Sequence, residues 1–357
     1  MRKGLFLGLA VVASTVLAAA EAAAQQIKWR MATIDTETGV YFTNIAKPFA
    51  EWVDRLTNGR MKIDPLPAGT VGNIFKLHEA VEDGLVEMAN WPPVFLGTAD
   101  PTNAMIATFP TGLGTDSFLA WLYVGGGADL WVRHRRETMK MHALVLGSGP
   151  SEWFAHSHVP IRTVRDLEGV KFRTLGNWAA VLKDRFGAAP TTVPGAEIYG
   201  MLEKKAIDAA EYSMPSENFA KGYHEIARYV VYPGIHAPAW AFEGLIELET
   251  WEKLPPDIKV AMEAAARIVT HESMLKIIDA DLDAVGKIMA GGRNEVIRLS
   301  DEFQAEARKA ARAWATEAAA KAKAAGNPWP ERVANSIFAF QDRWIANSKY
   351  LVVDHRD

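Results

Sequence analysis

The chain has 357 residues, 49% hydrophobic and 23% charged, with no cysteine and a formal net charge of -4. The missing cysteines exclude disulfides, thiolate nucleophiles and Cys-based zinc sites, so stability rests on core burial. The slight acidity argues against a nucleic-acid partner, and an anionic ligand would have to be held by local positive charge.

Arg2 and Lys3 precede an uncharged apolar run from Leu5 to Ala20 that ends in Ala22-Ala23-Ala24. This is the pattern of a cleaved Sec-type signal peptide, residues 1–24, and it places the mature protein in the periplasm. The run is shorter than the roughly 20 residues that cross a bilayer.

From Ile27 to Thr33 the sequence alternates as a strand does, and Gly39 to Leu56 has helical spacing before the turn at Asn58-Gly59. Arg60 to Leu66 is a second strand, Gly72 to Asp83 a helix with Leu77, Ala80 and Val81 on one face, and Val86 to Trp91 a third strand. These form a first lobe, 25–148, to which 237–280 returns. Leu144 to Leu146 is a short strand. The second lobe, 149–236, repeats the grammar: a strand at Val170 to Leu175, a helix at Asn177 to Phe186 capped by Gly187, an extended Pro190 to Val193, a helix at Ala196 to Lys204 and a strand at Ile207 to Tyr212. The alternation predicts an α/β fold of two lobes with mostly parallel sheets and crossing strands, and ligands lie beyond the carboxyl ends of such strands.

Past Thr250 the composition turns helical, and 281–357 is expected to hold long C-terminal helices. Ser300 to Ala325 is rich in alanine with few large apolar residues, so it must lie along another surface, either a neighbouring lobe or a partner protomer.

Enzyme motifs are missing where they should be. His78-Glu79, His224-Glu225 and His271-Glu272 lack the second histidine of a zincin helix. His156-Ser157-His158 puts two imidazoles on one side of a strand with no carboxylate nearby to complete a metal site. Gly147-Ser148-Gly149 and Gly125-Gly126-Gly127 lack a nucleophile elbow or a phosphate-loop lysine and read as turns.

Arg173 lies on the strand VKFRTL just before Asn177 opens a helix, so its guanidinium can project at the strand's carboxyl end. A planar fork of donors there matches a carboxylate, and the helix amides at Asn177 and Trp178 could add to it. An arginine at a strand end is more often a surface salt bridge, so this residue alone does not decide the function.

The stretch from Leu66 to about Leu254 resembles the DctP family of solute receptors for tripartite ATP-independent periplasmic (TRAP) transporters, most of all the α-keto-acid and lactate type. The motifs that carry the resemblance, in order, are LPAGTVG at Leu66, HEAVEDGLVEMAN at His78, AWLYVGGGADLW at Ala120, DLEGVKFRTLGN at Asp166, VPGAEIYGMLEKKAIDAAEYS at Val193, YHEIARYVVYPG at Tyr223 and WEKLPPDIK at Trp251. The resemblance implies a non-enzymatic receptor that delivers a small organic anion to a small and a large membrane subunit. It implies that Arg173 clamps the ligand carboxylate and that Glu211 and Tyr212 hold a sodium or calcium ion that the ligand completes, with no other cofactor required. It also implies a homodimer through the long helix at 300–325.

This sequence departs from the family pattern in three places. Glu152 stands in a shortened loop where relatives have a glutamine metal ligand, Tyr212 replaces a tryptophan, and the segment after Gly234 carries Trp240 and Phe242. Trp91, Trp153, Trp178, Tyr212, Phe219 and Trp240 are candidate walls for a flat or apolar carboxylate. A periplasmic sensor built on the same clamp, and a secreted enzyme with Glu211 as base and Arg173 as anchor, are the rival readings.

Overall fold

A computed structural model describes residues 26–351; the expected signal peptide, 1–24, lies outside the described residues. Among these residues the strands are β1 (Ile27–Thr33), β2 (Met61–Leu66), β3 (Met88–Trp91), β4 (Met141–Gly149), β5 (Ala155–Ser157), β6 (Lys171–Arg173), β7 (Ala189–Thr191), β8 (Ala209–Ala210), β9 (Tyr229–Tyr232), β10 (Trp240–Glu247) and β11 (Glu295–Arg298). They form two sheets, one in the order β2-β1-β3-β10-β4 and one in the order β11-β9-β5-β8-β6-β7.

Direction within the sheets follows from how the chain crosses between them. The pairs β1–β2, β1–β3, β6–β7, β6–β8 and β9–β11 are parallel, and every antiparallel pair involves β5 or β10. These two are the first strands after each crossing. The crossing segments, 150–154 and 233–239, run beside each other, with the Glu152 amide donating to the Ala237 carbonyl at 3.1 Å. A Cβ on Gly234 would stand 2.0 Å from the Glu152 carbonyl oxygen, so the close approach of the two segments requires glycine there.

Each sheet has its own core. The first packs Met31, Phe49, Val53, Met61 and Leu146 against the helices Lys47–Leu56 and Pro256–Gly291, and the second packs Phe154, Phe172, Trp178, Leu182 and Val231. Gly147-Ser148-Gly149 is not a turn. It is the buried end of β4, where a Cβ on Gly147 would stand 2.4 Å from Ile45. Gly125-Gly126-Gly127 does turn the chain, with Gly126 in the left-handed region before the helix Gly127–Met139.

The helix Asp301–Ala324 is capped by Ser300, whose side chain accepts from the Phe303 amide, and it buries Ala307, Ala311, Ala315 and Ala319 at a spacing of one turn. Small side chains let the helix lie close. Ala307 joins the second core, whereas Ala311 and Ala315 join a third cluster with Trp121, Trp131 and the helix Trp329–Asn347. The surface demanded by this alanine stripe is therefore supplied by the chain itself.

The helix Pro256–Gly291 reaches from β4 to the helix Pro215–Ala220, where Asp281 accepts from the Ser216 amide at 2.8 Å. Burial raises the Asp281 carboxyl from 3.8 to about 6. The native state thus keeps a proton that the unfolded chain releases, and stability from this group is fullest below that window and falls as pH rises through it. Asp281→Asn keeps an acceptor and removes the charge. It is expected to raise stability by about 1–2 kcal/mol at neutral pH and by almost nothing at about pH 4, as thermal melts at the two pH values would measure.

Candidate functional site

Between the two sheets lies a cavity with about 130 Å³ of room for water, lined on one side by Arg173, Leu175 and Tyr212 and on the other by Asp35, Tyr41, Phe75, Phe95 and Phe242. Its walls are the residues just beyond strand ends: Ile34 and Asp35 after β1, Pro92 and Val94 after β3, Leu175 after β6 and Tyr212 after β8. This is where a mostly parallel sheet leaves its carboxyl-end crevice. Tyr41 Oη lies 2.7 Å from Ser213 Oγ, joining the two sides across the cleft.

Arg173 is only 2% exposed. Its Nε and Nη2 donate to the Val193 carbonyl at 3.2 and 3.0 Å, and Nη1 donates to the Glu211 carbonyl at 2.8 Å. Those bonds fix the plane of the guanidinium. They leave one N–H on each terminal nitrogen without a hydrogen-bond partner among the described residues, beside the cavity. The Tyr212 ring lies against the guanidinium, 5.7 Å from Cζ to centroid.

Glu211 sits beside this arginine, with Oε1 3.5 Å from Nη1 and accepting from the Leu175 amide at 3.0 Å. Its other oxygen, Oε2, lies 3.6 Å from His236 Nε2, which in turn donates to Glu152 Oε2 at 2.9 Å. Glu152 and His236 come from the two opposite crossing segments, and Glu152 also lines the cavity. Burial raises the Glu152 carboxyl, against the pull of His236. Burial also opposes charge on His236, but the hydrogen bond with Glu152 and the charges of Glu211 and Glu152 outweigh it, and the imidazole holds its proton above the usual histidine range.

Residues 31–322 match the family model of the bacterial extracellular solute-binding proteins, family 7, DctP. The chain belongs to this family. It is 30% identical over 292 residues to a monocarboxylate 2-oxoacid-binding periplasmic protein of Nostoc, covering 81% of this chain and 78% of the relative. In three dimensions it is similar to a TRAP solute-binding protein of Bordetella bronchiseptica, with calcium and picolinate bound, at a TM-score of 0.82 and 24% identity over 91% of this chain and 96% of that one. A TRAP solute-binding protein of Pseudoalteromonas atlantica, with sodium and pyruvate bound, gives a TM-score of 0.82 at 23% identity over 91% and 98%.

Within this DctP-family fold, the structure brings Arg173, Tyr212, Glu152 and Trp240 to the lining of one cavity, with Glu211 behind Arg173. Five other candidates do not line it. Trp91 is the last residue of β3 and turns into the first lobe's core, where its Nε1 donates to Glu243 at 3.1 Å; the next residue, Pro92, faces the cavity instead. Trp178, three residues past the lining Leu175, packs in the second core. Asn177 donates to the Pro101 carbonyl at 3.4 Å across the cleft and so helps hold it shut. Trp153 packs on Val230 and Ile288, while Phe219 stacks on His224.

His156 is buried without polar partners and kept neutral, its value lowered by burial to about 3, while His158 Nε2 sits 2.8 Å from the Leu202 carbonyl oxygen. Among the described residues the acid–histidine cluster with metal-like spacing is Glu152, Glu211 and His236, within 4.8 Å of one another. Sodium and calcium take oxygen donors. Glu152 and Glu211 offer carboxylate oxygens of the kind such an ion takes, and His236 Nε2 stands between them. No helix among the described residues is long and apolar enough to cross a membrane.

Proposed function

We propose that this DctP-family chain is the periplasmic receptor of a TRAP transporter. It closes on a small organic anion and delivers it to the small and large membrane subunits. Arg173 takes the ligand's carboxylate through its two open N–H groups, and the aromatic wall of Tyr41, Phe75, Phe95 and Phe242 receives the rest of the molecule. Binding is the activity, with no covalent step. The observation that carries the reading is a buried guanidinium, fixed by backbone carbonyls, in the lining of the cavity between the two sheets.

The charges of the wall narrow the ligand. Arg173 is the one cation among the lining residues, whereas Asp35 and Glu152 are acids. A second carboxylate on the ligand would meet apolar rings or a like charge and lose its hydration without a partner. Monocarboxylates with a branched, flat or aromatic body fit best. In a thermal-shift screen, pyruvate, picolinate and branched 2-oxo acids are expected to raise the melting point, and C4 dicarboxylates to bind at least about tenfold more weakly. A dicarboxylate that binds more tightly than every monocarboxylate would refute this reading of the wall, and pyruvate binding above all aromatic acids would remove the rings' role.

A further inference from the structure

The helix Pro256–Gly291 is apolar on two faces toward its C-terminal end. One face packs on its own chain and buries Met274, Ile277, Ala284 and Ile288. The other turns Leu275, Leu282 and Met289 outward, 51%, 70% and 44% exposed. A surface helix buries one apolar stripe and is polar on its other side, so a second stripe marks an interface. The spacing of these three residues, seven positions each time, is that of a paired-helix seam, with about 20° of drift per step. Gly286 lies on the same side, one turn past Leu282. Glycine weakens a helix, and packing within the chain does not ask for it there, since a Cβ would meet no atom within 4 Å. It leaves a notch in the outer surface.

These positions are complementary to themselves. Leu275 and Met289 stand equally far from Leu282 along the helix, and so do the half-buried Ile278 and Gly286. Two copies of the helix laid antiparallel about a two-fold axis at Leu282 bring that residue against itself and Leu275 against the partner's Met289. Ile278 then enters the notch at the partner's Gly286. Lys276, Asp279, Asp283 and Lys287 rim the stripe in both signs, and Asp279 is offset by about 3 Å along the axis from the partner's Lys287. We propose that this stripe joins two copies of the chain, helix to helix, about Leu282. A transporter subunit would need no such symmetry. The face is separate from the alanine stripe of Asp301–Ala324, and its residues do not line the ligand cavity, so the inference stands apart from the reading of Arg173. A single helix pair buries less than the ~1,200–2,000 Å² of a stable interface, so the dimer forms only as concentration rises.

The test is sedimentation equilibrium of the mature protein over about a hundredfold range of concentration, in which the wild type is expected to pass from monomer to dimer. Leu282→Glu sets two carboxylates against each other on the axis, and Gly286→Leu fills the notch. Each is expected to weaken the dimer at least about tenfold while the melting point is kept. Leu85→Glu, at an exposed leucine in the turn before β3, should leave it unchanged. The register is read by cysteine, since the chain has none of its own. A short thiol-reactive cross-linker is expected to join Leu282→Cys to itself, and to join Leu275→Cys to Met289→Cys when the two are mixed but neither of these alone. A wild type that stays monomeric throughout overturns the inference; if membrane subunits in vesicles then retain the wild type but not Leu282→Glu, the face belongs to the transporter. A dimer that survives both Leu282→Glu and Gly286→Leu, or that links equally well through Leu275→Cys alone, overturns it too. Should Leu282→Glu fail to fold, Gly286→Leu and the cross-links decide.

Discussion

Arg173→Ala is expected to remove ligand binding, weakening it at least about a hundredfold by calorimetry, in a protein that still folds. Each hydrogen bond from a charged donor to a carboxylate contributes about 1.5–3 kcal/mol, and the two open N–H groups would make two of them. Alanine also leaves the Val193 and Glu211 carbonyls without their guanidinium donors, so a fall in melting point should accompany the loss. Arg173→Lys separates charge from geometry. A lysine keeps a cation but cannot hold both carbonyls and a carboxylate in one plane, and its affinity should fall between wild type and alanine. Full affinity in the lysine variant would mean that the planar fork is not what recognises the ligand.

The second large effect concerns stability and lies away from the cavity. Glu243 on β10 is wholly buried and accepts from Arg135 Nε at 2.8 Å, from Trp131 Nε1 at 2.6 Å and from Trp91 Nε1 at 3.1 Å. Arg135, also wholly buried, reaches Asn103 Oδ1 and His134 Nδ1 besides. Removing one member of a buried pair strands the other charge, at a cost of about 3–5 kcal/mol. Glu243→Leu should therefore lower the unfolding free energy by about that much and strand two indole N–H groups as well. The double variant Arg135→Met, Glu243→Leu should recover part of the loss, since no lone charge remains. Chemical denaturation of the single and double variants would measure both, and a single variant within about 1 kcal/mol of wild type would show that the network relaxes around the gap.

The parts of this structure legible in the sequence are those set by local periodicity. The strands at Ile27–Thr33 and Lys171–Arg173 and the helix after Asn177 announce themselves in apolar spacing. The position of Arg173, at a strand end before a helix start, is legible for the same reason, but its role as carboxylate clamp comes only from the resemblance to the DctP family. Trp91 shows the limit. A shift of one residue turns a side chain from cavity to core, and the choice between Trp91 and Pro92 depends on Glu243, far away in sequence, offering an acceptor.

His236 could not be found by spacing at all. Its partners are Glu152 and Glu211, brought together by the two crossing segments and a strand end. The signal that existed was positional: the segment after Gly234 is a crossing strand, and crossing strands must pass the cleft. The alanine stripe of Asp301–Ala324 demanded a partner surface but could not say whose, and the helix Trp329–Asn347 that covers part of it carries its apolar residues at ordinary helical spacing.

The most direct test of the central claim is a crystal structure of the mature protein soaked with picolinate or pyruvate. The expected result is a carboxylate with its two oxygens within hydrogen-bond distance of Arg173 Nη1 and Nη2, and the body of the ligand against Tyr41, Phe75 and Phe242. A ligand bound with its carboxylate turned away from Arg173, or bound outside this cavity altogether, would contradict it.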